Sequence, residues 1–270
     1  MLRTDSSADA RVGAGAAMPP SSSSLSDLID QVSTIVIGKR EQVTLAVICL
    51  LASGHLLIED IPGVGKTTLS QALARSLGLA FARVQFTSDL LPSDLIGVSV
   101  YERQRGEFVF HPGPVFAQVL LADEINRAGP RTQSALLEAM EERQVSVDGM
   151  TRALPSPFFV IATQNPGEQL GTHPLPESQL DRFAIRLSLG YPPPAAERAL
   201  LAGEDRRALL GRMQPVMTPD QWQHWQAQIE RVHVAPGLLD YLQALIAATR
   251  NGQWFAQGLS PRAGLSVLRL

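Results

Sequence analysis

The stretch that decides the fold is Asp60-Ile61-Pro62-Gly63-Val64-Gly65-Lys66-Thr67-Thr68. An apolar run precedes it and a helical pattern follows it, so it is predicted to turn from a strand into a helix. Glycines at such a turn let backbone N–H groups curl around clustered negative charge, and the helix N-terminus adds a favourable dipole. The stretch therefore predicts a binding site for the phosphates of a nucleoside triphosphate.

Two side chains of this turn have specific predicted roles. Lys66 is expected to reach the β- and γ-phosphates, and Thr67 to place its hydroxyl on Mg²⁺. The sequence contains only two lysines, Lys39 and Lys66, so a lysine placed between a glycine and two threonines is informative. The other predicted phosphate-binding positions of the turn are Pro62, Gly63, Val64, Gly65 and Thr68.

The turn departs at one position from the phosphate-loop pattern G-x-x-x-x-G-K-[ST], because Asp60 stands where the first glycine is usual. We expect the Asp60 side chain to point away from the phosphates and to fix the loop through local hydrogen bonds. The alternative is a glycine-rich strand-to-helix turn without a ligand, which the flanking patterns disfavour.

A second apolar run, Leu120-Leu121-Ala122, ends in Asp123 and Glu124. A strand ending in two acids would put Asp123 at the carboxyl edge of a sheet, near Mg²⁺, and would let Glu124 polarise an attacking water. Acids also follow strands simply for solubility, but this pair lies downstream of a phosphate loop. We therefore predict Asp123 as a metal ligand and Glu124 as the catalytic base.

A third apolar run, residues 158–163, is followed by Gln164-Asn165-Pro166. Asn165 could hold the attacking water from a neighbouring strand. An asparagine before proline is also typical of a plain turn, and both interpretations stay open on these residues alone.

The order of elements indicates an α/β fold. Predicted helices at residues 25–35, 41–52, 67–77 and 131–143 accompany five apolar runs of strand character, at residues 55–59, 81–86, 119–123, 158–163 and 184–189. This alternation predicts a mostly parallel sheet with helices on both faces. Residues 98–113 predict a small hairpin, and Asp148-Gly149 predicts a type I′ hairpin within residues 144–153. A helical region follows Pro192-Pro193-Pro194, with a capped start at Thr218.

Composition narrows the class of protein. The chain has 270 residues and a formal net charge of -3, which disfavours a general nucleic-acid-binding surface. Its single cysteine, Cys49, excludes an intramolecular disulfide. No apolar run approaches the ~20 residues of a membrane span, so no membrane insertion is expected. Residues 1–24, rich in Ala, Ser, Gly and Pro, are expected to form a disordered tail of a cytoplasmic protein.

Further segments make a resemblance specific: the chain resembles the MoxR family of AAA+ ATPases from about Leu25 to its last residue. The segments, in chain order, are Gln85-Phe86-Thr87-Ser88-Asp89-Leu90-Leu91-Pro92-Ser93-Asp94, His111-Pro112-Gly113-Pro114-Val115-Phe116, Ala122-Asp123-Glu124-Ile125-Asn126-Arg127-Ala128, Gln133-Ser134-Ala135-Leu136-Leu137-Glu138-Ala139-Met140-Glu141-Glu142, Gly171-Thr172-His173-Pro174-Leu175-Pro176-Glu177, Leu180-Asp181-Arg182-Phe183 and Ser260-Pro261-Arg262-Ala263.

The resemblance implies an AAA+ P-loop NTPase domain at residues 25–190, with a five-stranded, mostly parallel sheet. A smaller α-helical lid is implied at residues 191–270 and is expected to be incomplete at its C-terminus. Gly38 and its neighbours would line the adenine site, and Asn165 would be sensor 1. Arg182 would be the arginine finger offered to a neighbouring subunit's ATP. Arg262 would be sensor 2, with a possible action across the same interface.

Arg182 and Arg262 could alternatively be surface salt-bridge residues. Arg127, beside the acidic pair, is a further candidate of lower weight. The implied activity is Mg²⁺-dependent ATP hydrolysis by a chaperone-like remodelling motor that forms a homo-oligomer, most simply a hexameric ring. The implied partners are a von Willebrand factor A domain protein and a protein client. Two alternatives are a nucleotide-controlled scaffold with negligible turnover and a DNA-handling AAA+ motor.

Overall fold

The computed structural model describes residues 23–167, 171–252, 255 and 257–270. The predicted tail lies outside the described residues, apart from residues 23 and 24, where the first helix begins two residues earlier than expected. Within the described ranges the strands are β1 Leu56–Glu59, β2 Phe81–Gln85, β3 Gly97–Glu102, β4 Glu107–Pro112, β5 Val119–Asp123, β6 Gln144–Val147, β7 Met150–Ala153, β8 Phe159–Gln164 and β9 Ile185–Leu187.

The α-helices of the same ranges alternate with these strands and then continue alone. They are α1 Ser23–Ile35, α2 Arg40–Leu51, α3 Lys66–Ser76, α4 Pro92–Ile96, α5 Pro130–Glu142, α6 Glu177–Leu180, α7 Pro194–Ala202, α8 Arg206–Arg212, α9 Pro219–Ile229, α10 Pro236–Arg250 and α11 Pro261–Arg269. The predicted helices and strands are all present, with bounds that differ by one or two residues at most ends.

Five strands form one sheet in the order β2-β5-β8-β1-β9, and every pairing in it is parallel. This confirms the predicted five-stranded α/β architecture. The central strands β5 and β8 are almost continuously buried, as expected for parallel strands covered on both faces. Because the strands are parallel, the segments that follow β1, β5 and β8 meet at one carboxyl edge.

Helices cover both faces of the sheet, and the strand side chains alternate between the two cores. Leu121 points into the core that α1, α2, α3, α8 and α9 share, whereas Leu120 and Ala122 point into the core covered by α5. Cys49 is fully buried in the first core. Burial raises the pKa of its thiol to about 12, which makes it an inert packing residue.

Two antiparallel hairpins project from this framework. β3 pairs with β4, and β6 pairs with β7 through the register Val147↔Met150. Asp148 and Gly149 have φ of 53° and 74°, and positive φ at both turn positions is what a type I′ hairpin requires. Both predicted hairpins are therefore confirmed.

After β9 the described residues form five helices joined by loops and contain no further strand, as predicted. Thr218 caps α9 by accepting from the N–H of Gln221, and Trp222 is fully buried with its ring edge-on to Phe159. These contacts hold α9 against the core of the sheet. The boundary between an ATPase domain and a lid domain at residue 190 stays a prediction. No described residue of α10 is buried. In the part of the chain that is described, no helix has the length and apolar character needed to cross a bilayer.

Candidate active site

The loop between β1 and α3 lies at the carboxyl edge of the sheet and encloses open space. Its first N–H, that of Asp60, donates to the carbonyl of Gln164 at 3.1 Å and so joins the loop to the end of β8. Gly63 and Gly65 have φ of 83° and 99°, a conformation that favours glycine. A Cβ built on either glycine would meet no atom within 4 Å. The backbone is therefore shaped as a cradle that a ligand could approach closely.

The cradle ends at the N-terminus of α3, where Gly65 is the N-cap residue. Among the described residues no side chain caps this helix end, and its first turn carries no acid. The N–H groups of the first turn are thus available to an anion, and the helix dipole favours negative charge there. These features fit a polyphosphate group.

Lys66 opens α3 with its ammonium folded back onto the loop. Its Nζ donates to the carbonyl of Asp60 at 2.6 Å and to that of Ile61 at 3.3 Å, and 9% of the residue is exposed. Burial lowers the pKa of the Lys66 amine, while the carboxylates of Asp60, Asp123 and Glu124 oppose that shift. The amine thus lies near several acids at the mouth of the cradle.

The Asp60 side chain fixes the loop through hydrogen bonds, as expected. Its Oδ1 accepts from the N–H of Ile61 at 2.8 Å, and its Oδ2 accepts from the N–H of Gly190 at 2.6 Å and from Ser188 Oγ at 3.1 Å. Burial alone would raise the pKa of this carboxyl, but the donated hydrogen bonds outweigh it and hold the pKa below its usual range. The acid therefore ties the cradle to the segment after β9.

Asp123 and Glu124 are joined through one hydroxyl on the neighbouring strand. Thr163 Oγ1 accepts from the N–H of Glu124 at 2.9 Å and donates to Asp123 Oδ1 at 2.6 Å. Glu124 has φ 58° and ψ 50°, a left-handed conformation that is uncommon outside glycine. Backbone strain of this kind, held by a side chain of another strand, is typical of functional positions.

The edge strand β2 contributes two partners that sequence reasoning missed. Arg83 donates to Asp123 Oδ2 from Nη2 at 2.6 Å and from Nε at 3.1 Å, and Gln85 Nε2 donates to Glu124 Oε2 at 2.8 Å. Arg127 Nε lies 2.9 Å from the same oxygen of Glu124. Alternation on β2 puts residues 83 and 85 on one face, which is the signal that could have found them.

Asn165 lies directly beyond β8, beside the ends of β1 and β5. It is buried, and its Oδ1 accepts from the N–H of Gly167 at 3.2 Å. The acidic pair, Asn165 and the cradle therefore gather at one edge of the sheet.

Gly38 lies against the start of the helical region. Its φ is 75°, and an added Cβ would stand 2.6 Å from Ala196 Cβ and 3.0 Å from Pro193 Cδ, so no larger residue fits without a shift. The next residue, Lys39, donates from Nζ to the carbonyl of Tyr191 at 2.6 Å. The segment around Gly38 thus meets the same stretch that Asp60 binds at Gly190, close to the cradle.

Arg182 and Arg262 lie at the opposite edge of the sheet. Arg182 precedes β9, whose entry is bonded from the Ala184 N–H to the carbonyl of His55, at the start of β1. Arg182 Nη2 lies 2.9 Å from Glu141 Oε2, and Arg262 pairs with the other oxygen of Glu141. The length of β1, about 13 Å for four residues, separates this edge from the cradle of the same chain.

The residues at the carboxyl edge fit a nucleotide-bound magnesium ion. Mg²⁺ prefers oxygen ligands and commonly takes one or two from protein, with phosphates and water completing the octahedron. Asp123 offers a carboxylate with 7% of the residue exposed, and Thr67 offers a hydroxyl in the first turn of α3. In the described parts of the chain, no three His, Cys, Asp or Glu side chains cluster as a ligand set made of protein alone.

Comparison with known proteins agrees with this geometry. The profile of the ATPase family associated with various cellular activities (AAA) matches residues 55–185. The uncharacterized protein YeaC of Bacillus subtilis is 44% identical over 245 residues, covering 91% of this chain and 77% of that protein. Chaperone MoxR1 of Mycobacterium tuberculosis is 41% identical over 253 residues, covering 89% and 66%. Protein MoxR of Paracoccus denitrificans is 34% identical over 228 residues, covering 80% and 67%.

A solved structure gives the same result for the fold. The crystal structure of a proposed ATPase from Cytophaga hutchinsonii superposes with a TM-score of 0.81 at 36% identity, covering 92% of this chain and 78% of that one. The chain spans from 66% to 77% of the length of the three sequence relatives.

Proposed function

The chain belongs to the MoxR family of AAA+ ATPases, and from that premise we propose that it binds ATP with Mg²⁺ and hydrolyses it to ADP and phosphate. The observation that carries the proposal is the shared hydroxyl of Thr163, which fixes Asp123 and Glu124 relative to each other. A module that only binds nucleotide has no use for a second acid held in a strained conformation beside the first.

The proposed roles follow from position. Lys66 and the N–H groups of the cradle bind the β- and γ-phosphates, and Thr67 and Asp123 hold the metal. When bound, Mg²⁺ supplies positive charge at the phosphate oxygens. Glu124 accepts a proton from the attacking water, and Asn165 orients that water. Gly38 and its neighbours contact the adenine.

Arg182 and Arg262 are proposed to act on the nucleotide of a neighbouring copy. Both arginines lie about the length of one strand away from the cradle of their own chain. Neither is therefore placed to contact a γ-phosphate bound in that cradle. A guanidinium keeps its charge and can fork onto phosphate oxygens, and a finger supplied in trans accelerates hydrolysis by ~10³–10⁵. This role requires a homo-oligomer, for which we propose a hexameric ring.

The proposed biological role is chaperone-like remodelling of a protein client in the cytoplasm, with a von Willebrand factor A domain protein as partner. The relative named Chaperone MoxR1 supports the general role, and the identity of client and partner rests on the family resemblance. A scaffold with negligible turnover is disfavoured by Glu124, and a DNA-handling motor by the net charge of -3.

Phosphate release from ATP, measured with Mg²⁺ and after its removal by a chelator, tests the activity. We expect release with the metal and none without it. Lys66→Ala should abolish ATP binding measured by calorimetry, and undiminished affinity would refute the assignment of the cradle.

A further inference from the structure

One carboxylate, that of Glu141, joins three separate parts of the chain. Glu141 lies on α5, Arg182 in the turn after α6, and Arg262 in the first turn of α11. Each carboxylate oxygen pairs with a different arginine: Oε2 with Arg182 Nη2 at 2.9 Å, and Oε1 with Arg262 Nη2. The two arginines are thus neighbours through Glu141, although 80 residues apart in sequence.

A second contact fastens the same two segments together. Ser260 Oγ lies 2.7 Å from each carboxylate oxygen of Asp181 and also accepts from the N–H of Ala263 at 3.0 Å, which caps α11. The residue before Arg182 is therefore bonded to the helix that carries Arg262. Any displacement of the start of α11 would be transmitted to the turn that holds Arg182.

Electrostatics gives Glu141 a specific task. Two guanidinium groups held side by side repel each other, and a carboxylate shared between them offsets that repulsion. A guanidinium has five N–H donors, so pairing with one carboxylate oxygen leaves others for a phosphate. The side chains of Arg182 and Arg262 are 27% and 44% exposed, so both can be reached from outside the chain.

We propose that Glu141 is a positioning residue that holds Arg182 and Arg262 as one unit, so that the arginine finger moves with helix α11. The proposal rests on the proposed function, because the paired arginines act only on the nucleotide of a neighbouring copy. Glu141 itself touches neither nucleotide nor water in this account. It sets where the two guanidinium groups are presented.

The test compares Glu141→Gln, which keeps the shape and removes the charge, with Glu138→Gln at an exposed glutamate of the same helix. Hydrogen–deuterium exchange at residues 260–266 should be roughly two- to fivefold faster in Glu141→Gln, the change expected on losing one half-exposed ion pair. Turnover per subunit at high protein concentration should fall about 100-fold, the cost of a small misplacement of a catalytic group. ATP affinity and sedimentation should not change, and Glu138→Gln should match the parent.

Combining the change with loss of both arginines separates positioning from general damage. Adding Glu141→Gln to the variant Arg182→Ala/Arg262→Ala should slow it no further, because Glu141 acts through these two arginines. Unchanged exchange in Glu141→Gln, or a further loss of turnover in that background, would overturn the positioning role. If Arg182→Ala slows turnover and Glu141→Gln does not, the positioning role of Glu141 is refuted while the proposed action of Arg182 across the interface stands. If Arg182→Ala leaves assembled turnover unchanged, the proposed action across the interface fails as well.

Discussion

Thr163 Oγ1 donates to Asp123 Oδ1 at 2.6 Å, across the pairing of β8 with β5. The same oxygen accepts the N–H of Glu124 at 2.9 Å, so one hydroxyl fixes the proposed metal ligand and the proposed base relative to each other. The relation depends on the parallel register of two buried strands, which makes the geometry of the site a property of the core of the sheet.

Replacing that hydroxyl should therefore slow catalysis while the conformation of strand β8 stays unchanged. Thr163→Val leaves the N–H of Glu124 without its acceptor, at a cost of roughly 1–3 kcal/mol in the free energy of unfolding. Turnover should fall about 100-fold because the two acids lose their alignment, while ATP affinity stays within a few-fold. Thr44→Val, which removes a hydroxyl bonded within α2, is the control. Steady-state kinetics and denaturant unfolding measure the two effects. Turnover of Thr163→Val at the parental rate would show that Thr163 does not align the two acids.

Glycine at the end of the cradle should matter to the ligand more than to the fold. Gly65→Ala puts a Cβ at φ 99° into the open space of the cradle, and Gly106→Ala puts one at φ 70° into open space at the β3–β4 turn. Both should lower the free energy of unfolding by about 1–2 kcal/mol. Calorimetric titration should show a loss of ATP affinity for Gly65→Ala alone. Equal affinities in the two variants would argue against close approach of phosphates to this backbone.

Acid should destabilise the protein through His55, a buried residue outside the site. Its Nδ1 accepts the N–H of Val160 at 3.0 Å and its Nε2 bonds to the carbonyl of Met140 at 3.2 Å. Burial, helped by the charge of Arg143, lowers the pKa of the imidazole to about 3. The unfolded chain, with an ordinary pKa of about 6.5, takes up a proton that the folded chain excludes.

The direction of the pH dependence of stability follows from that difference in proton uptake. The contribution of His55 to the free energy of unfolding is complete above pH 6.5 and declines as the pH falls toward about 3. At pH 4.5 the loss should be roughly 3 kcal/mol, from about two pH units at 1.36 kcal/mol each. Urea unfolding from pH 7 to 4.5 measures it. His55→Gln should flatten the dependence and His233→Gln, at an exposed position, should not; equal slopes for all three proteins would contradict the assignment.

The sequence predicted those parts of the structure that follow from local pattern. The run Val119–Asp123 forms a strand with the predicted bounds, because a short apolar run between polar flanks in an α/β chain typically forms a buried strand. Asp148 and Gly149 form the predicted type I′ turn, because few other residue pairs adopt positive φ twice without strain.

Contacts between distant segments were not predictable in the same way. The pairing of Arg83 with Asp123 depends on β2 lying beside β5, and the meeting of Arg182 and Arg262 at Glu141 depends on where α11 packs. No periodicity or spacing encodes strand order or helix docking. Sequence reasoning could therefore name both arginines but could not place them together at the far edge of the sheet.

The central claim is that Glu124 is the base of an ATP-hydrolysing site, and its amide variant tests that claim most directly. Glu124→Gln retains the size of the side chain and can still bond to Gln85, but it cannot accept a proton from water. Phosphate release at saturating Mg²⁺ and ATP should fall by ~10²–10⁴, the usual contribution of a general base, while ATP affinity by calorimetry stays within about threefold. Release by Glu124→Gln at the parental rate would contradict the account, as would a parent protein that binds ATP and releases no phosphate.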